Sequence, residues 1–167
     1  PAEGTTDSSL SLEHAVLKNG ATFAPGRVGQ AFALDGVDDF VQLPTNIFPF
    51  PAGNQPFSFD LWFQTTGSGV LLGQQSAEPG AYQAGWVPAL YIGQDGKLRG
   101  QLFWKGNRDP ITTPGIVNDG IFHHVAITYD GTQQSLYLDG ALVDTKNLSQ
   151  SGYASQYFYQ LGAGYAE

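Results

Sequence analysis

The residues best suited to chemistry in this sequence are aromatic side chains that stand beside polar ones. The segment 104–109 places an indole next to lysine, asparagine, arginine and aspartate. Trp and Tyr rings stack on the apolar C–H faces of sugars, while Asn and Arg bond to hydroxyls. The predicted carbohydrate-binding residues are Trp86, Tyr91, Trp104, Asn107 and Arg108. Core packing is the alternative for each single ring, because large aromatic side chains are mostly buried.

Catalytic groups are much harder to find. His123 and His124 are adjacent, so in a strand they point to opposite faces, and His14 is remote from both. One packed and one surface histidine is the simpler interpretation. Glycoside hydrolysis needs two carboxylates about 5–10 Å apart, and the four glutamates are scattered. A Ser-His-Asp triad stays open on composition, but no Gly-x-Ser-x-Gly elbow is present. The sequence therefore predicts no enzyme activity.

Charge and composition exclude several classes of partner. The chain has seven Lys and Arg against fifteen Asp and Glu, and its formal charge of −8 repels nucleic acid. No run approaches the roughly 18 apolar residues of a membrane span. Cysteine is absent, which excludes disulfides and thiolate catalysis. The low charge and many Gln, Thr, Ser and Asn are typical of extracellular domains.

The elements that must position these residues are strands. Phe57, Phe59, Leu61 and Phe63 alternate with polar residues and Trp62, which predicts a strand with one face in the core. Nine more strands are predicted near 31–34, 40–43, 70–74, 89–93, 98–104, 123–129, 135–138, 142–144 and 158–162. Five Asp-Gly pairs favour antiparallel hairpins with type I′ turns, and only residues 10–17 have a helical pattern. We predict a single all-β domain, a sandwich, over residues 1–167.

Three segments resemble a known family, the laminin-G-like, concanavalin A-like jelly-roll domains of secreted bacterial proteins. They are residues 19–41 (NGATFAPGRVGQAFALDGVDDFV), 57–63 (FSFDLWF), and 122–131 (FHHVAITYDG) followed by 136–140 (LYLDG). The resemblance implies a jelly-roll sandwich of two antiparallel sheets at the cell surface or outside the cell. It is specific for fold rather than function, because such domains bind carbohydrate, mediate adhesion, bind proteins or, in relatives, cleave polysaccharides.

The chain departs from that family at its end. Such domains continue into a last strand with an Ile-Asp-Glu-type motif, whereas this sequence stops at Glu167. Either the sandwich lacks a strand that another polypeptide supplies, or the residues after Glu167 were trimmed or the fold closes differently. The first alternative predicts strand complementation by a second chain.

The resemblance also bears on metal binding. Asp35, Asp38 and Asp39 offer three hard oxygen ligands of the kind that calcium prefers, without the EF-hand spacing. Calcium-binding relatives exist, and we predict a structural calcium held by Asp35 with Glu3 and Asp7. A plain turn with solvated aspartates is the alternative.

Taken together, the sequence predicts a non-catalytic carbohydrate-binding or adhesion module whose partner is a glycan. The alternative is a protein-interaction or structural module completed by a strand from another polypeptide.

Overall fold

Thirteen β-strands and no helix are found among the residues that the computed structural model describes, which are 14–45, 55–79, 81, 85–102, 108–148 and 158–165. The strands are β1 (Val16–Lys18), β2 (Thr22–Pro25), β3 (Gln30–Ala33), β4 (Phe40–Leu43), β5 (Phe57–Gln64), β6 (Gly69–Gln75), β7 (Trp86–Ile92), β8 (Lys97–Gly100), β9 (Ile111–Ile116), β10 (Phe122–Tyr129), β11 (Gln133–Leu138), β12 (Ala141–Asn147) and β13 (Phe158–Leu161). The predicted all-β fold is confirmed. Accordingly, no helix in the described part of the chain is long and apolar enough to span a membrane.

The strands form two main sheets and a hairpin, and every pair is antiparallel. One sheet has seven strands in the order β1-β4-β13-β6-β7-β8-β9. The other has four, in the order β12-β11-β10-β5, and β2 pairs only with β3. The two sheets bury a common core, as expected for a sandwich.

Alternation along β5 and β10 explains how the four-stranded sheet faces that core. Phe63 is buried, and Phe57, Phe59 and Leu61 pack against the same cluster, as the sequence predicts. Val125 of β10 is buried in that cluster as well. The intervening residues of β5 are exposed. The register pairs these two strands over all eight residues of each, so both inner faces meet the seven-stranded sheet.

All ten predicted strands are present, with ends displaced by up to three residues where both ends are described. The helical pattern over 10–17 does not give a helix in its described part, because Val16 and Leu17 pair with β4. Residues 10–13 lie outside the described residues. The sequence also missed β2 and β9. Pro114 and Gly115 interrupt the strand pattern of β9, and both are tolerated because β9 is an edge strand.

The five Asp-Gly pairs all mark turns, but only one is of the predicted type. Asp139 (φ 51°) and Gly140 (φ 81°) are both left-handed, as the two-residue loop between β11 and β12 requires. At the other four pairs only the glycine has positive φ, and the aspartate carboxylate accepts a backbone N–H two residues later. Those bonds join Asp35 to Val37, Asp95 to Lys97, Asp119 to Ile121, and Asp130 to Thr132.

The two sides of the sandwich differ. On one side the edge strands β12 and β9 pack together, and the Lys146 ammonium reaches the Asp109 carboxylate and the Pro110 carbonyl. On the other side β5 ends the four-stranded sheet, and a cleft of about 1360 Å³ separates it from the β2–β3 hairpin.

Candidate functional site

An exposed aromatic pair lies on the outer face of the seven-stranded sheet. Trp86 begins β7 opposite Gln75, and the next residue, Val87, belongs to the core, so the Trp86 ring points outward. Tyr165 follows β13, and its ring centroid lies 5.6 Å from that of Trp86. The two residues are 38% and 51% exposed. They therefore present two ring surfaces to the solvent at one place.

Gly73 explains how the segment after β13 reaches this face. The Gly162 N–H bonds to the Leu71 carbonyl, 3.2 Å away, and the chain then crosses β6. A methyl group at position 73 would lie 2.6 Å from the carbonyl oxygen of Ala163. Only glycine allows this close approach, which carries Tyr165 toward Trp86.

Polar side chains are buried beneath the segment and beside the aromatic pair. Gln75 lies opposite Trp86, and Gln160 lies opposite Gly73 on the same face of the sheet. Gln75 Oε1 and both polar atoms of Gln160 have no hydrogen-bond partner among the described residues. An unsatisfied buried group costs about 1–3 kcal/mol, so these amides favour a bound water, because Gln75 and Gln160 are too deeply buried for a surface ligand to touch.

Of the other predicted carbohydrate contacts, Tyr91 and Arg108 are among the described residues. Tyr91 lies farther along β7 and is only 4% exposed. The Arg99 guanidinium carbon stands 6.0 Å from its ring centroid, so Arg99 would have to move before a ligand could touch the ring. Burial raises the pKa of the Tyr91 hydroxyl, an effect that Arg99 and Arg108 partly oppose. Arg108 is exposed and lies near enough to act on Tyr91, while Trp104 and Asn107 lie outside the described residues.

A second polar and aromatic cluster lies on the outer face of the four-stranded sheet. Trp62 is 47% exposed, and its ring centroid lies 5.0 Å from that of its cross-strand neighbour His124. His124 Nε2 is 2.9 Å from the Asp60 carboxylate. The guanidinium carbon of Arg27, in the β2–β3 turn, lies 5.5 Å from the Trp62 centroid. The sequence placed Trp62 and Asp60 on one face but did not single out Arg27.

His123 lies between two carboxylates. Its Nδ1 lies 2.8 Å from Asp139 Oδ2, and its Nε2 lies 3.2 Å from Asp119 Oδ1. Burial opposes charging of the ring, but the two carboxylates outweigh burial and raise the pKa of His123 above 6.5. Both ring nitrogens are engaged in these contacts. One buried and one surface histidine is the arrangement that the sequence predicts.

Three carboxylates stand together before β4. The side chains of Asp35, Asp38 and Asp39 bring one oxygen each within 4.8 Å of the others. Asp35 Oδ1 accepts the N–H groups of Val37, Asp38 and Asp39, and the first of these contributes most to lowering the pKa of Asp35. The donors are of the type that calcium prefers. Glu3 and Asp7, the other predicted ligands, lie outside the described residues.

Comparison with known proteins identifies the family. The model of the concanavalin A-like lectin/glucanases superfamily matches residues 35–167. The chain belongs to this superfamily. The jelly-roll expectation is thereby confirmed, and no curated protein matches the sequence.

Solved structures resemble this superfamily member in fold at low sequence identity. Domain 4 of AbnA, an extracellular family GH43 arabinanase from Geobacillus stearothermophilus solved with arabinotriose, has a TM-score of 0.64 and 16% identity, over 98% of this chain and 80% of that one. A carbohydrate esterase of the Shiga toxin-encoding bacteriophage phi24B has a TM-score of 0.55 and 16% identity, over 96% and 88%. An endo-β-1,4-glucuronan lyase of the fungus Trichoderma reesei has a TM-score of 0.50 and 14% identity, over 94% and 81%.

Proposed function

We propose that this chain is a non-catalytic carbohydrate-binding or adhesion module of an extracellular or cell-surface protein. The observation that carries the proposal is the pair of exposed rings, Trp86 and Tyr165, on the outer face of the seven-stranded sheet. A sugar ring can stack there through its apolar C–H face while its hydroxyls stay at the surface of the sheet. The extracellular arabinanase domain with a bound arabinotriose offers the same fold and a first ligand to test.

The lack of catalysis in this proposal rests on the described ionisable groups. His123 is held on both sides by carboxylates, and His124 contacts Asp60. In the acidic cluster, one carboxylate oxygen of Asp35 accepts backbone N–H groups. None of these described groups places a base and an acid on the two sides of Trp86 and Tyr165, which supports binding without cleavage.

Affinity electrophoresis on neutral polysaccharides, with arabinan and arabinotriose included, tests the proposal. We expect at least one glycan to retard the protein. The Trp86→Ala variant should lose this retardation, whereas the Trp62→Ala variant, which lacks a matched exposed tryptophan on the other sheet, should keep it. No retardation by any glycan at millimolar sugar would overturn the carbohydrate function.

Calcium is the cofactor that we propose for this module, as a structural ion. Asp35, Asp38 and Asp39 would hold it, and their combined charge supports a divalent cation over a neutral ligand. By binding all three carboxylates, the ion would rigidify the turn before β4.

A protein-interaction module is the second candidate function. The observation that favours it is the edge of the four-stranded sheet at β5, beside the cleft. Edge strands of this kind attract additional strands.

A further inference from the structure

At the β5 side of the sandwich, the strands of the described residues leave part of the wall open. β5 pairs with β10 along its whole length, and no described strand pairs with residues 60–64 on the opposite side. In an antiparallel strand, alternate residues direct their N–H and C=O groups to opposite sides. This segment therefore presents backbone donors and acceptors toward the cleft.

The floor of the cleft is apolar. Leu61 of β5, Leu71 of β6 and Leu161 of β13 line it, and all three are only partly buried although they pack against the core. At the opposite edge of the sandwich, β12 packs on β9 and closes the interior. The cleft thus exposes apolar surface that a further strand would cover.

A cation stands at the rim. The Arg27 guanidinium lies over Trp62 and has no carboxylate partner among the described residues. An acidic side chain on the outer face of an added strand, level with Trp62, would pair with it. Inward side chains of the same strand would alternate with it and lie on Leu61 and Leu71.

We propose that an extended segment of a partner protein, with apolar residues at alternate positions and an acidic residue facing Arg27, adds to β5 beside residues 60–64 as the fifth strand of this sheet. Backbone pairing supplies affinity, and the apolar floor and Arg27 select the sequence. Sugar hydroxyls can bond to backbone groups, but a glycan has no apolar side chains at alternate positions to match the period of the floor. The proposal is independent of the carbohydrate site, which lies on the outer face of the other sheet.

Hydrogen exchange on the free protein gives the first test. Within residues 60–64, we expect slow exchange for the amides that bond to β10 and fast exchange for the alternate ones. Uniform protection of all five amides would mean that this edge is already paired, which would overturn the proposal.

Panning of a random nonapeptide phage library on the protein gives the second test. The enriched peptides should alternate apolar with polar residues and contain an acidic one, and they should slow exchange at the fast β5 amides. Leu61→Lys, which places a charge in the cleft, should weaken their binding at least tenfold. Leu142→Lys, the same change on the opposite edge strand β12, should leave it unchanged.

Charge reversal keeps the test decisive if Leu61→Lys does not fold. Arg27→Glu should weaken the acidic peptides, and replacing their acidic residue by lysine should restore binding. Trp86→Ala should leave peptide binding intact, which separates this surface from the carbohydrate site. Failure to enrich any alternating peptide, or equal binding to the Arg27→Glu variant, would show the proposal to be wrong.

Discussion

The rings of Trp86 and Tyr165 lie 5.6 Å apart although one residue begins β7 and the other follows β13. Their contact depends on the last described segment crossing β6 above Gly73. Two residues far apart in sequence thus form one exposed aromatic surface, and the first and third predictions below concern it.

Removal of one ring should weaken glycan binding without unfolding the protein. Trp86→Ala should cost about 1–3 kcal/mol of binding free energy, the range of a lost stacking contact. The melting temperature should change little, since the ring is partly exposed. Titration calorimetry and thermal melts measure the two effects. A lower melting temperature with unchanged affinity would assign Trp86 to packing.

Trp104 remains a predicted contact that the described residues do not include. Trp104→Ala should weaken binding by about 1–3 kcal/mol as well, with little change in melting temperature. The same titration checks it. A large fall in melting temperature with full affinity would place Trp104 in the core.

Gly73 should be required for both stability and binding. Gly73→Ala brings a methyl group against Ala163 and Gln160, which we expect to destabilise the fold by about 1–3 kcal/mol and to displace Tyr165. Gly115→Ala is the matched control, because a methyl group there meets no atom within 4 Å. Urea unfolding and glycan titration on both variants measure the difference. Equal behaviour of the two would contradict the role given to Gly73.

The Asp119–His123–Asp139 contacts should make stability depend on pH. Because the folded pKa of His123 is raised above 6.5, its contribution is complete below pH 6.5 and is lost as pH rises through the folded pKa. The pKa of Asp119 is lowered most by the hydrogen bond that its carboxylate accepts from the Ile121 N–H, and further by its contact with His123. Burial raises that of Asp139, but the bonds from His123 and His124 outweigh it. Both carboxylates therefore contribute above their ordinary pKa of 3.8 and lose that contribution as pH falls through their folded values.

His123→Gln should therefore reduce the melting temperature most between about pH 4 and pH 6.5. The difference from the unchanged protein should narrow at higher pH. Thermal melts across pH 4–9 provide the measurement. A difference that is constant over this range would mean that packing on Phe63, whose ring lies 5.7 Å away, is the main role of His123.

Calcium should raise the melting temperature by mass action if it binds the folded chain alone. Melts of metal-free protein with added calcium or with EDTA measure the shift. The Asp38→Asn variant should show no calcium-induced shift in melting temperature. In EDTA the same substitution should stabilise the fold, because it removes one of three neighbouring negative charges. Identical melts with and without calcium would exclude the ion.

Local patterns determined much of this fold. The alternation in β5 predicted which of its residues enter the core, and Asp139-Gly140 predicted a two-residue hairpin. Such signals are readable because the two-residue period of a strand and the left-handed turn depend only on neighbouring residues. The same reasoning separated His123 from His124.

Only the tertiary structure decided which strands become neighbours. β13 lies between β4 and β6, β1 is a strand because β4 pairs with it, and Arg27 reaches Trp62 from a separate hairpin. Residues far apart in sequence meet through sheet order and register, which depend on the packing of the whole core. For that reason the sequence identified Trp86 and Asp35 as candidates. The partnership of Trp86 with Tyr165, and the stretch 60–64 of β5 that no described strand pairs on its outer side, became visible only in the folded chain.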